Sequence, residues 1–251
     1  MDNPMSLSGK HILVTGASAG IGRATCIVAS RLGAKVTLVA RNSQRLNETL
    51  CSMEGSGHKC YEVDLNNIEV IEEHVNQIIA DQGKVDGMVH CAAIGTVYPI
   101  KMTKPHLAQQ MLNIHFMAFL ELVRLLGKKK ASNENASFVG ISSVAAYRGQ
   151  RGQGAYAAAK GAINSILGPM AKEYSDRRIR VNAVAFGSVN TEMMAGFWES
   201  GGSEEQMLLK HDQYMGIISP EDAANSICFL LSDASRFITG TVLHVDGGFL
   251  S

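Results

Sequence analysis

Ser143, Tyr156 and Lys160 have the residue types and the spacing needed for acid/base chemistry at a carbonyl or alcohol group. If Tyr156 and Lys160 lie on one helix, four residues apart, their side chains leave the same face. An ammonium group beside the phenol favours the phenolate and lowers the tyrosine pKa from its usual value of about 10. The pair therefore predicts a phenol that exchanges protons near neutral pH. An exposed helix face would carry the same pattern, so the interpretation depends on a cofactor site elsewhere in the chain.

A glycine-rich loop at residues 15–22 follows the first apolar run and opens the first predicted helix. Gly16, Gly20 and Gly22 let the backbone turn tightly and approach a pyrophosphate without a Cβ in the way. The helix N-terminus that follows presents free N–H groups and a partial positive charge to an anion. This position between strand and helix predicts nucleotide binding, with a purely structural turn as the alternative.

The end of the second predicted strand indicates which dinucleotide this loop would bind. NAD sites place a carboxylate there for the ribose 2′-hydroxyl, whereas NADP sites offer a cation to the 2′-phosphate. Residues 38–42 contain no carboxylate. Arg41 would bind the phosphate through charge-assisted hydrogen bonds, and Ser18 and Asn42 would add neutral donors. We therefore expect NADP(H), with a solvated loop charge as the alternative role of Arg41.

The composition argues against several classes of protein. The 251 residues carry 23 basic and 23 acidic side chains, and the longest basic run is residues 128–130, so nothing favours nucleic-acid binding. No apolar run reaches the ~18 residues of a membrane helix, and no signal pattern opens the chain, so we expect no membrane partner and a cytoplasmic location. The five scattered cysteines suit reduced thiols. Cys51, His58 and Cys60 lack a fourth ligand, so no metal is expected.

Apolar, β-rich runs alternate with helical patterns along the whole chain. Strands are predicted at residues 11–15, 36–40, 59–63, 87–90, 136–141, 180–185 and 241–245. Helices are predicted at residues 21–32, 44–53, 68–82, 104–128, 156–174 and 220–231. This alternation predicts a single α/β domain over residues 1–251, built as a doubly wound parallel sheet with helices on both faces.

Residues 190–218 interrupt the alternation. They contain apolar side chains among glycines and acidic residues, namely Met193, Met194, Phe197, Trp198, Met207, Leu208 and Met215. Exposed apolar residues in an irregular segment predict a lid over a ligand and favour an apolar substrate. A subunit interface or simple surface packing is the alternative.

Taken in order, these motifs resemble the short-chain dehydrogenase/reductase family over nearly the whole chain. The matching stretches are residues 15–22, Asp64-Leu65, residues 141–143, 156–160, 179–183, Thr239-Gly240 and 245–248. Length and motif order are nearest to the 3-oxoacyl-carrier-protein reductases. The resemblance implies a Rossmann-type sheet of about seven strands, a nicotinamide cofactor and, usually, a homotetramer; a homodimer is the other expected assembly.

The resemblance also implies roles for individual residues. Tyr156 would donate the proton to the carbonyl oxygen, Lys160 would lower its pKa and hold the nicotinamide ribose, and Ser143 would hydrogen-bond the substrate oxygen. Asp64 and Leu65 would lie beside the adenine, and Thr191 would contact the carboxamide or the pyrophosphate. The full set of cofactor-binding residues expected is Gly16, Ser18, Gly20, Ile21, Gly22, Arg41, Asn42, Asp64, Leu65, Cys91, Ala92, Tyr156, Lys160, Gly187, Val189 and Thr191.

The chain departs from the family pattern in three places. Residues 90–93 are His-Cys-Ala-Ala where the family usually has Asn-Asn-Ala-Gly, so we expect the side-chain hydrogen bonds of this loop to change. Phe186 replaces a proline and brings a ring towards the nicotinamide. His115 stands at the position of the family's catalytic Asn, where it would titrate near neutrality and join a proton relay. A packing substitution is the alternative role of His115.

Pro169 lies inside the helix predicted to carry the catalytic pair, and we expect it to kink that helix more than two turns beyond Lys160.

These observations lead us to expect an NADPH-dependent carbonyl reductase, working reversibly on a small carbonyl or alcohol, with a 3-oxoacyl thioester as one candidate substrate. The alternative is a non-catalytic NADP-binding regulator or scaffold with the same fold.

Overall fold

The computed structural model describes residues 3–95, 97–199 and 212–251. Its strands are β1 (His11–Thr15), β2 (Lys35–Ala40), β3 (Lys59–Glu62), β4 (Val85–His90), β5 (Ser132–Ser143), β6 (Arg180–Phe186) and β7 (Val242–Val245). Its helices are α1 (Gly20–Arg31), α2 (Ser43–Cys51), α3 (Ile71–Gln82), α4 (Pro105–Leu112), α5 (Ala118–Leu126), α6 (Gly154–Glu173), α7 (Glu192–Glu199) and α8 (Pro220–Leu231).

The seven strands form one parallel sheet in the order β3-β2-β1-β4-β5-β6-β7. One face buries apolar side chains of α3, α5 and α6, and the other buries those of α1, α2 and α8. This confirms the predicted single Rossmann-type, doubly wound domain. The strand order reverses between β1 and β4, and in such sheets a crevice for ligands opens there, beyond the carboxyl ends of the strands.

The long central helix predicted at residues 104–128 is divided. A π-helical segment, Asn113–Met117, separates α4 from α5, and the backbone N–H of Ala118 bonds the carbonyl oxygen of Asn113. An α-helix would have given that N–H to the carbonyl of Ile114. The π segment therefore frees the Ile114 carbonyl from its usual partner, a change that periodicity alone does not predict.

Two further predictions concern the helix that contains Pro169 and the segment at residues 190–218. Helix α6 runs without interruption from Gly154 to Glu173 with Pro169 inside it, so the missing N–H of the proline does not end the helix. The predicted irregular segment at 190–218 opens instead with helix α7. Met207 and Leu208 lie outside the described residues, and so do the side chains of Phe197 and Trp198.

Among the described residues, no helix combines the length and the apolar character required to cross a membrane.

Candidate active site

A cavity of about 790 Å³ lies beyond the carboxyl ends of the central strands. It brings together most of the residues that the sequence singled out. Those lining it are Gly16, Ser18, Gly20, Ile21, Gly22, Arg41, Asn42, Leu65, Cys91, Ala92, Ser143, Tyr156, Lys160, Gly187, Val189 and Thr191. The glycine loop and the candidate catalytic group therefore share one cavity.

The glycine loop has a shape that side chains would destroy. Gly16 and Gly20 have φ of +66° and +50°, a region that favours glycine. A Cβ on Gly22 would lie 2.3 Å from the carbonyl oxygen of Gly16, and one on Gly16 would lie 2.7 Å from the amide nitrogen of Ala92. Helix α1 begins at Gly20, and its first residues line the cavity. This cradle fits the pyrophosphate of a dinucleotide.

The candidate catalytic residues come from two adjacent elements. Ser143 ends β5, and Tyr156 and Lys160 lie one turn apart in α6. The Lys160 Nζ donates a hydrogen bond of 2.6 Å to the carbonyl oxygen of Ile141, also in β5. The same Nζ lies 5.5 Å from the centroid of the Tyr156 ring. Lys160 is 3% exposed, while Tyr156 keeps partial access to the cavity.

The electrostatics of this group differ from the sequence-based expectation. Burial raises the pKa of Tyr156, and a hydrogen bond with Ser143 acts in the opposite direction. Burial also lowers the pKa of Lys160 to about 7. The lysine was expected to lower the tyrosine pKa, but desolvation is the largest effect on both groups because each loses hydration of its charged form.

His115 is fully buried rather than exposed to the cavity. Its Nε2 donates to the carbonyl oxygen of Ile94 at 3.0 Å, and its ring meets the Tyr156 ring edge-on, with centroids 5.3 Å apart and an interplanar angle of 87°. Burial, followed by the nearby Lys160 charge, holds the pKa of His115 well below 6.5. The expectation that it titrates near neutrality is therefore wrong, because an imidazolium would be desolvated here.

Two further residues of the expected cofactor-binding set also make contacts within their own loops. Asp64 is exposed and not part of the described cavity lining; its Oδ1 accepts a hydrogen bond of 3.1 Å from the Asn66 amide and shapes the turn after β3. Asn42 does line the cavity, but its side chain caps α2 by accepting the Arg45 amide at 3.0 Å. Arg41 is exposed at the cavity rim, as a phosphate ligand would be.

The sequence did not single out Arg45 or Glu192, which also line the cavity. They form an ion pair that joins the first turn of α2 to the first turn of α7. The signals that could have found them are the position of Arg45 in the first turn of the helix after β2 and that of Glu192 directly after Thr191.

The other end of the cavity is mainly apolar. Its lining includes Val97, Val144, Met193, Met194 and Phe249, with Gln150 and Gln153 as polar members. Arg148 stacks over Phe249, with its guanidinium carbon 5.2 Å from the ring centroid, and forms an ion pair with Asp212 at 2.9 Å. Phe249 near the C-terminus is thus part of the site, which linear spacing does not indicate. Burial raises the pKa of the Cys91 thiol to about 12, so this lining residue is not a thiolate nucleophile.

Comparisons with known proteins point to one family. Residues 16–250 match the family model described as enoyl-(acyl carrier protein) reductase. A 3-oxoacyl-[acyl-carrier-protein] reductase of Thermotoga maritima is 30% identical over 248 residues, which cover 98% of this chain and 100% of the relative. The L-xylulose reductase of Mus musculus is 31% identical over 248 residues, covering 98% and 99%.

A solved structure is also similar. It is a Beutenbergia cavernae protein, proposed to be an NAD(P)-dependent gluconate 5-dehydrogenase and solved with NADP at low occupancy. Its TM-score with this chain is 0.88 at 28% identity, covering 99% of both chains.

Fold and relatives together define an oxidoreductase that interconverts carbonyl and alcohol groups. The chain belongs to the short-chain dehydrogenase/reductase family, whose members use NAD(P)(H).

Proposed function

We propose that this protein is an NADP(H)-dependent reductase of small carbonyl compounds, with Tyr156 as its acid and base. The observation that carries the proposal is the convergence of Ser143, Tyr156 and Lys160 on the cavity that the glycine loop borders. A nicotinamide dinucleotide supplies a hydride when bound, and the remaining steps belong to side chains of this chain.

In the reduction, the Ser143 hydroxyl donates a hydrogen bond to the substrate carbonyl oxygen and so fixes its position. The Tyr156 hydroxyl donates its proton to the same oxygen as the alcohol forms. Lys160 then stabilises the phenolate, because negative charge nearby favours the ammonium form of a lysine whose pKa is about 7. In the reverse direction the phenolate takes the alcohol proton.

Arg41 supports NADP(H) over NAD(H). Its guanidinium is exposed at the cavity rim after β2, a position where a 2′-phosphate can pair with it and where no carboxylate stands in the sequence. The glycine cradle and the lining residues Leu65, Ala92 and Val189 would hold the rest of the dinucleotide.

The apolar end of the cavity supports an apolar substrate. A 3-oxoacyl thioester carries both a ketone and an alkyl chain, and it is the substrate named for the T. maritima relative. The alkyl chain of such a substrate would lie against Val97, Met193 and Phe249.

The test is to mix the protein with NADPH and a panel of 3-oxoacyl thioesters, simple ketones and ketoses, and to follow reduced-nicotinamide absorbance. We expect oxidation with the apolar ketones. Tyr156→Phe should lower kcat by about 10³-fold with NADPH affinity little changed, since proton transfer contributes about 10²–10⁴. Tyr174→Phe is the matched control, because it removes a hydroxyl that donates to the carbonyl oxygen of Val123, directly after the end of α6 and outside the cavity lining.

If the wild type binds NADPH but oxidises it with no substrate, and Tyr156→Phe does the same, the result would instead support a non-catalytic NADP-binding regulator or scaffold. Preference for ketoses would keep the reaction and reject the apolar substrate.

We also propose a cytoplasmic homotetramer or homodimer. The proposal follows from the family resemblance, and Phe237, 88% exposed, is the most exposed large apolar side chain among the described residues and so the position at which to test it. Sedimentation velocity of the wild type and of Phe237→Ser tests it, and a wild-type monomer would reject it.

A further inference from the structure

His90 lies at the centre of a chain of hydrogen bonds in which every donor is fixed. Its Nε2 lies 2.8 Å from the carbonyl oxygen of Ile114, which can only accept, so Nε2 carries the proton. Its Nδ1 must then accept, and the Thr15 hydroxyl donates to it at 3.0 Å. The same hydroxyl accepts the amide N–H of Ala92 at 3.2 Å. Strand β1, strand β4, the loop after β4 and the central helix are thus joined through one imidazole.

The π segment makes the last of these bonds available. Because the Ala118 amide bonds the Asn113 carbonyl, the Ile114 carbonyl is open to His90. His115, the next residue in that segment, sends its own Nε2–H to the Ile94 carbonyl. The two imidazoles therefore hold opposite ends of the loop at residues 91–94 to the same helical turn.

This loop is part of the cofactor cradle. Cys91, Ala92, Ala93 and Ile94 all line the cavity. On its other side the loop packs against the glycine loop so closely that a Cβ on Gly16 would lie 2.7 Å from the Ala92 amide nitrogen. A displacement of the loop would change the cavity wall and the glycine loop together.

We propose that His90 and His115 are positioning residues, a pair of neutral imidazole clamps that fix the loop at 91–94 and thereby shape the dinucleotide end of the cavity. His115 also holds the Tyr156 ring by its edge-on contact, and it does so without exchanging a proton. The proposal rests on the proposed function only in naming the ligand as a nicotinamide dinucleotide.

The lowered pKa values of His90 and His115 favour the neutral form of both imidazole rings. Burial lowers the pKa of His90 to about 4, and the pKa of His115 lies well below 6.5; Lys160 is the charged group that faces both rings. Protonation of His90 would also convert Nδ1 from acceptor to donor and break its bond with Thr15. The His115 Nδ1 is a buried acceptor without a hydrogen-bond partner among the described residues.

The first experiment compares His90→Asn and Thr15→Val with His11→Asn. His11 is a matched control: a buried imidazole in β1, bonded to the Lys84 carbonyl and the Thr37 hydroxyl, away from the cavity lining. We expect His90→Asn and Thr15→Val each to weaken NADPH binding by about tenfold, measured by fluorescence titration. Their double variant should bind about as weakly as either single one, since both changes break one chain of bonds.

Amide hydrogen exchange on the protein without dinucleotide gives a readout independent of catalysis. Exchange at Ala92 and Ala93 should become at least about tenfold faster in His90→Asn and Thr15→Val. His11→Asn should lower the melting temperature but should change neither NADPH binding nor amide exchange at Ala92 and Ala93. If His90→Asn behaves like His11→Asn in both measurements, the clamp is only structural and the proposal is wrong.

The second experiment separates positioning from proton transfer at His115. His115→Phe keeps a ring beside Tyr156 but loses both nitrogens, while His115→Asn keeps a donor and loses the ring. We expect His115→Phe to speed amide hydrogen exchange in the loop and to lower kcat, with the pH profile of kcat unshifted. In His115→Asn, amide exchange in the loop should be slower than in His115→Phe. A shifted pH profile with unchanged loop exchange would overturn positioning in favour of a proton relay.

Failure of the proposed function would look different. Wild-type protein would then oxidise no NADPH with any substrate, whether or not it binds NADPH, yet loop exchange in the variants would still report on the clamps.

Discussion

The Lys160 Nζ donates a 2.6 Å hydrogen bond to the carbonyl oxygen of Ile141, so the ammonium group beside Tyr156 is anchored to the strand that carries Ser143. This bond fixes the lysine side chain against β5. It does not compensate for lost hydration, because burial still lowers the pKa of Lys160 to about 7. The site therefore holds a lysine that destabilises the folded protein whenever it is charged.

Lys160→Met should stabilise the protein without dinucleotide, more at pH 6 than at pH 9.5. The folded-state pKa of about 7 lies below the reference value of 10.5, so the unfolded chain binds more protons between these two pH values. Wild-type stability therefore rises with pH across that window. The advantage of Lys160→Met should shrink by on the order of 3 kcal/mol. Urea unfolding of both proteins at each pH measures it. An advantage that is constant with pH would mean that Lys160 is not desolvated as described.

Arg41→Asp should reverse the cofactor preference. The substitution removes a charge-assisted phosphate contact and adds repulsion, so the ratio of kcat/KM for NADPH to that for NADH should fall by about 100-fold or more. Steady-state kinetics with both cofactors provides the measurement. Arg236→Asp makes the same charge change at an arginine that stacks over Phe237, outside the cavity lining, and should leave the ratio unchanged. A wild type that prefers NADH would contradict the assignment of Arg41.

Glu192→Gln should strengthen NADPH binding by about two- to fivefold at low salt, with a smaller gain at high salt. The carboxylate pairs with Arg45 at the cavity wall, so its removal frees a cation and deletes an anion near the expected phosphates. Arg45→Gln should act in the opposite direction. Calorimetric titration with NADPH at two ionic strengths measures the change in affinity. Weaker binding in Glu192→Gln would contradict this electrostatic effect and would mean that the ion pair holds α7 in the binding-competent position.

Gly22→Ala should abolish dinucleotide binding and destabilise the protein, because the new Cβ would meet the Gly16 carbonyl oxygen at 2.3 Å. Gly161→Ala in α6 has open space around the new methyl group and should raise stability by about 0.5–1 kcal/mol with binding unchanged. Thermal unfolding with and without NADPH measures both variants. Retained binding in Gly22→Ala would show that the glycine loop shifts to accommodate a side chain.

Much of the architecture was predictable because local patterns determine it. The bounds of β1 and α8 were predicted to the residue, and the alternation of strands and helices gave the parallel sheet. The order of segments along the chain then places the ends of β1, β4 and β5 at one edge, so the glycine loop and Ser143 had to meet. Tyr156 and Lys160 needed only the helix geometry of four-residue spacing.

The remainder depended on contacts between distant residues. Arg45 and Glu192 are 147 positions apart, and His90 reaches Ile114 only because a π turn frees one carbonyl. The direction of the Tyr156 pKa shift was predicted wrongly because the spacing supplied its neighbour Lys160 but not the burial of both groups.

The sequence by itself determined which groups can do the chemistry and which elements carry them, since residue identity and periodicity are local properties. Tertiary structure alone decided how those groups are charged and held, since desolvation and hydrogen-bond partners come from every element packed around them.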